Sequence, residues 1–245
     1  NEEQTPITVD SSVLKRLLSK TSFSMASQDV RYYLNGMLLE IEGNKINGVA
    51  TDGHRLAFSS ATTNAADLDV RNILPRKAVL ELSKLLSPNE GTVELLIGPS
   101  YVDVRSENLS FSSKLIDGKY PDYNKVFPTG EPLPLEISKE ILQSALSRAS
   151  VLSNEKYRGV RFQLSENKLK LTANNPEQES AEESVDVIYS GSELEVGFNI
   201  GYLLDVLNSI ESEIVSFEFY GEDTSCIIKE QNSEDDVYVI MPMRL

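Results

Sequence analysis

Apolar positions along this chain follow two periods that alternate with each other. In segments 10–20, 75–86, 138–149 and 199–210 the apolar residues lie three and four apart, which places them on one face of a helix. Between these segments, apolar residues occupy every second position, as in half-buried strands. The pattern therefore predicts four amphipathic helices separated by groups of antiparallel strands.

Residues that favour helix starts stand at the beginning of each predicted helix. Asp10 or Ser11 can cap the first helix, Pro75 suits the first turn of the second, and Ser138 and Asn199 can cap the third and fourth. The strands are predicted at 6–9, 34–41, 46–50, 93–97, 101–104, 109–116, 160–164, 169–173, 194–198, 215–219, 226–228 and 237–241.

The order of elements repeats along the chain. Ser11 and Ser138 open corresponding helices 127 residues apart, and the turns at Asn44 and Asn167 lie 123 residues apart. Between the two copies, Phe127–Leu135 contains three prolines and a glycine, which is typical of a stiff interdomain connection. We therefore expect an α+β fold with two tandem domains, 1–127 and 128–245, each with two helices packed on antiparallel sheets.

Composition narrows the class of protein. With a single cysteine the chain cannot form an intramolecular disulfide, and with a single histidine as well it has no set of zinc ligands. We therefore expect no metal and no cofactor, and we expect the protein in the reducing cytoplasm. The chain lacks an apolar run long enough to span a membrane, and its first residues do not resemble a signal peptide. It also lacks an initiator methionine, so we expect a processed or shortened chain.

The formal net charge of −15 disfavours indiscriminate attraction to nucleic acid. The acidic residues, however, are concentrated late in the chain, in 177–186 and 211–236. Segments 11–20 and 71–86 are basic, and both belong to predicted helices. The distribution thus singles out two basic helices on an acidic protein.

The stretch Gly48–Ala57 holds the one histidine of the chain, His54, at the end of a predicted strand. Gly53 permits a sharp turn, and the neighbouring apolar residues favour a pocket rim. A plain hairpin turn explains the same residues, and the stretch itself does not decide between the two. Asp52 with His54 is the only candidate catalytic pair, and it lacks the nucleophile, metal set or phosphate loop that an enzyme would need.

Six segments of the chain are distinctive: 28–37 (QDVRYYLNGM), 49–56 (VATDGHRL), 117–123 (DGKYPDY), 152–156 (LSNEK), 172–177 (TANNPE) and 241–245 (MPMRL). Together they resemble the bacterial DNA polymerase III beta subunit family of sliding clamps across nearly the whole chain. Family members have three such domains. The resemblance implies that this chain corresponds to the second and third and lacks the first.

The resemblance further implies a DNA processivity factor without catalytic activity. Family members form a head-to-tail dimeric ring of six domains, with helices lining a hole that holds duplex DNA. Cations that contact phosphates without reading sequence suit a ring that slides. The residues expected to face DNA are Lys15, Arg16, Lys20, Gln28, Arg76, Lys77, Lys84 and Arg148. The fourth helix carries Asp205 and no base, so its contact with DNA is left open.

The family also has a cleft between these two domains that accepts short linear peptides. The implied partners are replicative and translesion polymerases, the clamp loader and mismatch repair proteins. One wall corresponds to Arg31, Tyr33, Leu34, Thr51, Gly53, His54, Arg55, Leu56, Pro121, Lys125 and Val126. The other corresponds to Asn199, Tyr202, Ser225, Val239, Ile240, Met241, Pro242, Met243 and Arg244. Asp223 and Lys125 depart from the family pattern, which bears on partner preference.

The implied subunit interface includes Arg148, Val151, Leu152 and acidic residues of 177–183. A ring needs complementary surfaces on every subunit, so we expect a homodimeric ring for the full-length protein and a monomer for this chain. The alternative function is an acidic protein-binding scaffold that does not encircle DNA, which the net charge favours. Retention on circular DNA distinguishes them, because only a ring is held by topology.

Overall fold

The computed structural model describes residues 6–64, 68–89, 91–154, 156–177 and 179–245. The chain divides into two compact units, Asn1–Asp122 and Tyr123–Leu245, called unit 1 and unit 2 below. The boundary, expected after residue 127, lies earlier, after Asp122, because the 3-10 turn Tyr123–Val126 groups with unit 2. No helix in the described ranges has the length and apolar character needed to cross a membrane.

The described residues of unit 1 form two α-helices and eight strands. The helices are α1 (Ser11–Thr21) and α2 (Arg76–Leu85). The strands are β1 (Pro6–Asp10), β2 (Gly36–Gly43), β3 (Lys45–Thr51), β4 (Arg55–Thr62), β5 (Leu68–Pro75), β6 (Thr92–Ile97), β7 (Tyr101–Arg105) and β8 (Ser110–Lys114). They form two antiparallel sets, β1-β6-β7-β8 and β4-β3-β2-β5.

The core of unit 1 lies where its two helices pack on the sheets. Leu14, Leu17 and Leu18 of α1 are at most 1% exposed, and they share a cluster with Met37 of β2 and Val79 of α2. This is the apolar face that the 3.6-residue period predicts, and burial of such side chains is the main stabilising term.

Unit 2 repeats the plan. Its helices are α3 (Lys139–Val151) and α4 (Ile200–Ser209). Its strands are β9 (Leu133–Ser138), β10 (Gly159–Ser165), β11 (Lys168–Asn174), β12 (Ser180–Asp186), β13 (Ile188–Tyr189), β14 (Leu194–Asn199), β15 (Ile214–Phe219), β16 (Cys226–Glu230) and β17 (Asp236–Ile240). The antiparallel sets are β12-β11-β10-β14 and β13-β9-β15-β16-β17.

An aromatic cluster fills the core of unit 2. Phe162 and Phe198 meet edge to face with ring centroids 5.3 Å apart, and Phe217 stacks on Phe219 at 5.8 Å. All four side chains are at most 1% exposed. Offset and edge-to-face contacts of this kind add to the stabilisation that burial of the rings gives to unit 2.

The helices begin at or next to the residues predicted from the sequence, but only two of the predicted caps make a side-chain hydrogen bond. Ser138 and Asn199 accept hydrogen bonds from Ile141 N (3.4 Å) and Tyr202 N (3.2 Å). Asp10 is the cap residue of α1 but makes no side-chain capping bond. Pro75 precedes α2 and is not its first residue, a difference of one position within the ordinary uncertainty of helix ends.

Five strands lie outside the ranges predicted from the sequence: β4, β5, β9, β12 and β13. β5 is a half-exposed strand without clean alternation, and β12 carries the acidic run. β9 begins inside the predicted connection, because Leu135 and Ile137 alternate as buried positions after the prolines. Pro134 is accommodated at the end of β9, where β13 has no opposing residue.

Candidate functional site

The hairpin turn between β3 and β4 carries the histidine stretch. Gly53 has φ +90°, a conformation that side chains with a Cβ rarely adopt. Thr51 accepts a hydrogen bond at its hydroxyl from Gly53 N (3.1 Å) and donates one to Arg55 O (2.6 Å). Asp52 Oδ1 accepts from His54 N at 2.9 Å. The turn is therefore fixed by its own side chains, and it exposes His54.

The guanidinium of Arg55 is held within unit 1. Its Nε lies 3.0 Å from Asp52 Oδ2, and its Nη2 donates to Phe23 O at 2.7 Å. The charged group also lies over the Phe23 ring, 5.8 Å from the centroid. Arg55 thus joins the turn to the segment after α1, and the carboxylate of Asp52 serves this arginine and backbone N–H groups. That arrangement gives the suggested Asp52–His54 catalytic pair no support.

Arg31 is held against the same turn by a second aspartate. Asp29 accepts hydrogen bonds from Arg31 N (2.8 Å), Nε (3.0 Å) and Nη2 (2.8 Å), and Nη2 also donates to Asp52 O at 3.2 Å. The bonds from Arg31 lower the pKa of Asp29 to about 2. A Cβ on Gly53 would lie 2.8 Å from Arg31 Nη2, so the arginine can rest there because the turn has a glycine.

Several residues predicted to line the peptide cleft offer little surface in this conformation. Leu34, Leu56, Val239 and Ile240 are at most 2% exposed, and Thr51 is 7% exposed. Leu34 lies in a 3-10 turn, and the other four lie on strands. Their part in binding stays a prediction, and a substitution there would also disturb the fold.

Other predicted cleft residues are accessible. In unit 1 these are His54, with an exposed side chain, and Tyr33, which is half-buried and packs edge to face on Tyr32. Pro121 is exposed as well. In unit 2, Lys125 is exposed, whereas Val126, Tyr202, Ser225, Pro242 and Met243 are half-buried. Met241 is 45% exposed and Arg244 is exposed.

Segment 241–245 crosses the sheet of unit 2 beside β14 and β10. Met243 N donates to Gly197 O at 2.9 Å, and Arg161 Nη2 donates to Leu245 O at 3.4 Å. A cavity of about 300 Å³ lies along this segment. Its lining residues are Asn154, Tyr157, Gly159, Arg161, Thr172, Asn174, Met243, Arg244 and Leu245.

The basic helices differ in how they present their cations. On α1, Lys15 Nζ donates to Leu86 O (2.8 Å), Arg16 Nη2 donates to Ser60 O (2.6 Å), and Lys20 is 5% exposed. These cations satisfy backbone carbonyls or lie inside the unit, and the burial of Lys20 does not fit a phosphate contact. On α2, Lys77 and Lys84 are exposed.

The remaining residues expected at DNA also differ in exposure. Arg76 is half-buried and donates to Met25 O at 3.3 Å. Lys84 pairs with Glu81 at 3.1 Å. Gln28 is exposed in a loop, with φ +60°. Lys77, Lys84 and Gln28 are therefore the members of the predicted set that are open to solvent in unit 1.

The residues expected at a subunit interface lie together on α3 and β12. Arg148 makes a two-bond ion pair with Glu183, through Nε (2.7 Å) and Nη2 (2.9 Å). This pair raises the pKa of Arg148 and lowers that of Glu183. Val151 is 79% exposed at the end of α3, and Leu152 is half-buried. The surface is partly apolar with a charged edge.

Sequence reasoning missed the residues that hold the site in place. Asp29 lies two residues before Arg31, a spacing that allows the contact, but Phe23 is distant and leaves no local signal. Gly159, Gly197 and Leu245 meet only in the folded unit. Such long-range contacts cannot be seen in periodicity or in capping patterns.

Comparison with known proteins places both units in one family. A model described as DNA polymerase III beta subunit, central domain, matches residues 8–122, and one described as its C-terminal domain matches residues 124–244. The Beta sliding clamp of Pseudomonas aeruginosa is 49% identical over 235 residues, which are 96% of this chain and 64% of that relative. The Beta sliding clamp of Escherichia coli K12 is 46% identical over 244 residues, which are 100% of this chain and 67% of that relative.

Solved structures of sliding clamps are also similar to this chain. A crystal structure of the DNA polymerase sliding clamp from P. aeruginosa has a TM-score of 0.97 at 46% identity, covering 100% of this chain and 68% of the other. A sliding clamp from P. aeruginosa bound to griselimycin gives a TM-score of 0.96 at 47% identity with the same coverage. The chain spans about two thirds of the length of these proteins.

Proposed function

Because the chain belongs to the DNA polymerase III beta subunit family, we propose that it supplies the central and C-terminal domains of a DNA sliding clamp. In this role it is a processivity factor of the replicative polymerase and catalyses no reaction itself. The observation that carries the proposal is the match of two consecutive family domains over 8–122 and 124–244, with close relatives named as sliding clamps.

The clamp would contact duplex DNA without reading its sequence. The exposed cations of α2, Lys77 and Lys84, support this part of the proposal, because contacts to phosphate oxygens carry no sequence information. The inward bonds of Lys15 and Arg16 leave α2 and the Gln28 loop as the better candidates in unit 1.

The clamp would also bind short linear peptides from polymerases, the clamp loader and mismatch repair proteins. Two accessible groups support this, one in each unit: the exposed His54 on a rigid turn, and the flexible thioether of Met241, which is 45% exposed. The similar clamp bound to griselimycin indicates that at least one member of the family has a ligand site.

The first prediction tests peptide binding with accessible residues of each unit. Met241→Ala and His54→Ala should each weaken binding of a glutamine- and leucine-rich polymerase tail peptide, measured by fluorescence polarisation. If Met241 is an anchor, its truncation should cost about 1–3 kcal/mol. Leu85→Ala, at a residue 51% exposed on α2, serves as the matched control. Unchanged affinity in both site variants would place the peptide elsewhere.

The second prediction concerns self-association through the α3–β12 surface. The clamp would close into a ring through Arg148, Val151 and Leu152, and Val151 is an apolar side chain that is 79% exposed. We expect this chain alone to be a monomer in dilute solution, measured by light scattering. A dimer that persists on dilution would contradict this. If it also survived Val151→Glu, the self-contact would lie elsewhere.

A scaffold that binds only proteins is the competing function, and the net charge of −15 favours it. The two functions differ on circular DNA. Once loaded as a full-length ring, a clamp resists salt because it is held by topology, whereas a scaffold dissociates as its ionic contacts are screened. Loss of the protein at the same salt concentration from circular and linear DNA would favour the scaffold.

A further inference from the structure

Leu245 occupies a notch formed by two glycines on neighbouring strands. Gly159 of β10 and Gly197 of β14 lie diagonally across neighbouring strands of unit 2, because Gly159 pairs with Asn199 and Gly197 pairs with Arg161. A Cβ on Gly159 would lie 2.1 Å from Leu245 Cδ2, and one on Gly197 would lie 2.9 Å from Leu245 Cδ1. Both distances are shorter than real contacts allow, so the leucine lies where any other residue in the strands would have a side chain.

Two hydrogen bonds hold the backbone beside the notch. Met243 N donates to Gly197 O at 2.9 Å, and Arg161 Nη2 donates to Leu245 O at 3.4 Å. Arg161 is itself oriented by Glu195 of β14, 3.1 Å away. A Cβ on Gly197 would also lie 2.5 Å from Met243 O, so the segment lies directly on the strand.

Two of the residues that precede Leu245 are exposed. Met241 is 45% exposed, and Arg244 is exposed on the rim of the 300 Å³ cavity. After β17 ends at Ile240, the backbone bond of Met243 and the contacts of Leu245 are what fix these side chains to the sheet. Without them, the segment would have to be ordered each time a peptide binds, which costs affinity.

We propose that Leu245, seated on Gly159 and Gly197 and held by Arg161, is a positioning residue that pre-orders Met241, Met243 and Arg244 for peptide binding. This inference rests on the proposed peptide-binding function. Leu245 fixes the position of the neighbouring side chains, and the affinity for the peptide depends on how well that position is kept.

The experiment combines two measurements on the same variants. The chain has four methionines, so a methionine-methyl NMR spectrum contains four signals. Met25 and Met37 are at most 4% exposed in unit 1 and serve as internal references, whereas Met241 and Met243 report on the segment. Peptide affinity is measured separately by fluorescence polarisation.

Leu245→Ala should move the signals of Met241 and Met243 towards those of a flexible chain and leave Met25 and Met37 unchanged. It should also weaken peptide binding about 3- to 10-fold, because the released side chains must be ordered again each time the peptide binds. Leu245→Ile, which keeps the side-chain volume and adds no methionine signal, should keep both readouts close to those of the native chain. The matched control is Leu85→Ala, since Leu85 is 51% exposed and Leu245 is 53% exposed.

Gly197→Ala provides an independent variant, because Gly197 has no positive φ and the three atoms nearest to its added Cβ all belong to segment 241–245. It should release the segment from the other side and give the same two changes. In the double variant Gly197→Ala with Leu245→Ala, the losses should not add, because both remove one contact. Additive losses, or unchanged Met241 and Met243 signals in Leu245→Ala, would overturn the inference.

The two readouts separate this inference from the proposed function. If the native chain binds no peptide, the proposed function fails, and with it the positioning role, whatever the spectra show. If the native chain binds peptide and Leu245→Ala binds it equally well, only the inference fails.

Discussion

The glycine at position 53 determines both the turn and the position of Arg31 in the candidate site of unit 1. The glycine supplies φ +90° for the turn and leaves room for the guanidinium that Asp29 orients. The sequence identified the turn, the glycine and both arginines. It did not predict that Arg31 and Arg55 are engaged by Asp29 and Asp52, because those bonds depend on the loop geometry.

The third prediction is that Gly53→Ala strains the turn and displaces Arg31. We expect the unfolding free energy in urea to fall by about 1–2 kcal/mol, the cost of a left-handed backbone with a Cβ. As Arg31 moves away, the pKa of Asp29, about 2 in the native turn, should rise towards its ordinary value of 3.8. Carboxyl NMR titration measures it.

Gly43→Ala is the control for this change. Gly43 also has a positive φ, +59°, but a Cβ there would meet nothing within 4 Å. Gly43→Ala should lower the unfolding free energy through backbone strain and leave the pKa of Asp29 at about 2. A low Asp29 pKa in Gly53→Ala as well would show that Arg31 does not depend on the glycine.

At the scale of elements, the two basic helices of unit 1 have different uses for their cations. On α1, lysine and arginine donate to carbonyls of the segment after α2 and of β4, so they fasten the helix to its neighbours. On α2, Lys77 and Lys84 are exposed. Periodicity predicted both helices, but it could not tell a cation that holds the fold from one that is available to a ligand.

The fourth prediction is that α2 provides the salt-dependent DNA contact of unit 1. Lys77→Gln with Lys84→Gln should weaken binding to duplex DNA and lower the slope of log affinity against log salt by about 1 for each lost contact. Lys168→Gln, at a lysine on β11 paired with Asp186, is the control for a lost exposed charge. An unchanged slope in the α2 variant would remove this helix from the DNA surface.

Replacing Lys20 on α1 should have the opposite pattern of effects to replacing the lysines of α2. Its side chain is 5% exposed, so Lys20→Gln should lower the stability of unit 1 in urea and leave the salt slope unchanged. A reduced slope at full stability would mean that Lys20 reaches phosphate after all.

The elements that the sequence did not predict have physical reasons in common. β12 alternates exposed positions with half-buried Ala181 and Glu183 and buried Val185, and Lys170 and Arg148 pair with Glu182 and Glu183 there. It pairs with β11 along its whole length, and Val185, 8% exposed, is its one buried apolar side chain. A period-two pattern of apolar residues, the signal used to find strands, is absent from such an element.

At the scale of the whole molecule, the charge is divided unevenly between the units. Residues 1–122 hold 16 acidic and 13 basic residues, whereas 123–245 hold 22 acidic and 10 basic residues. The net charge of −15 is therefore carried mostly by unit 2. A protein of this kind can repel DNA over one half and bind it through the other, which the total charge alone would not reveal.

The two-domain organisation could be predicted because the pattern of elements repeats, and the structure shows the repeat in both units. Family membership followed from motifs that span the chain. The packing that holds Leu245 between glycines could not be predicted, because nothing near Gly159 or Gly197 in the sequence indicates what fills the space.

The burial of Cys226 gives the protein an internal reporter. The thiol is the only one in the chain, it is 0% exposed on β16, and burial raises its pKa to about 12. A thiol reagent reacts with the thiolate of an accessible cysteine, so labelling must await an opening of unit 2 that separates its strands.

We expect labelling of the native chain to be slow and to accelerate with urea along the unfolding curve of unit 2. Labelling at the rate of a free thiol in buffer would contradict the burial of Cys226. Because no other cysteine competes for the reagent, a single reaction trace reports on the opening of this half of the molecule, with no engineered label.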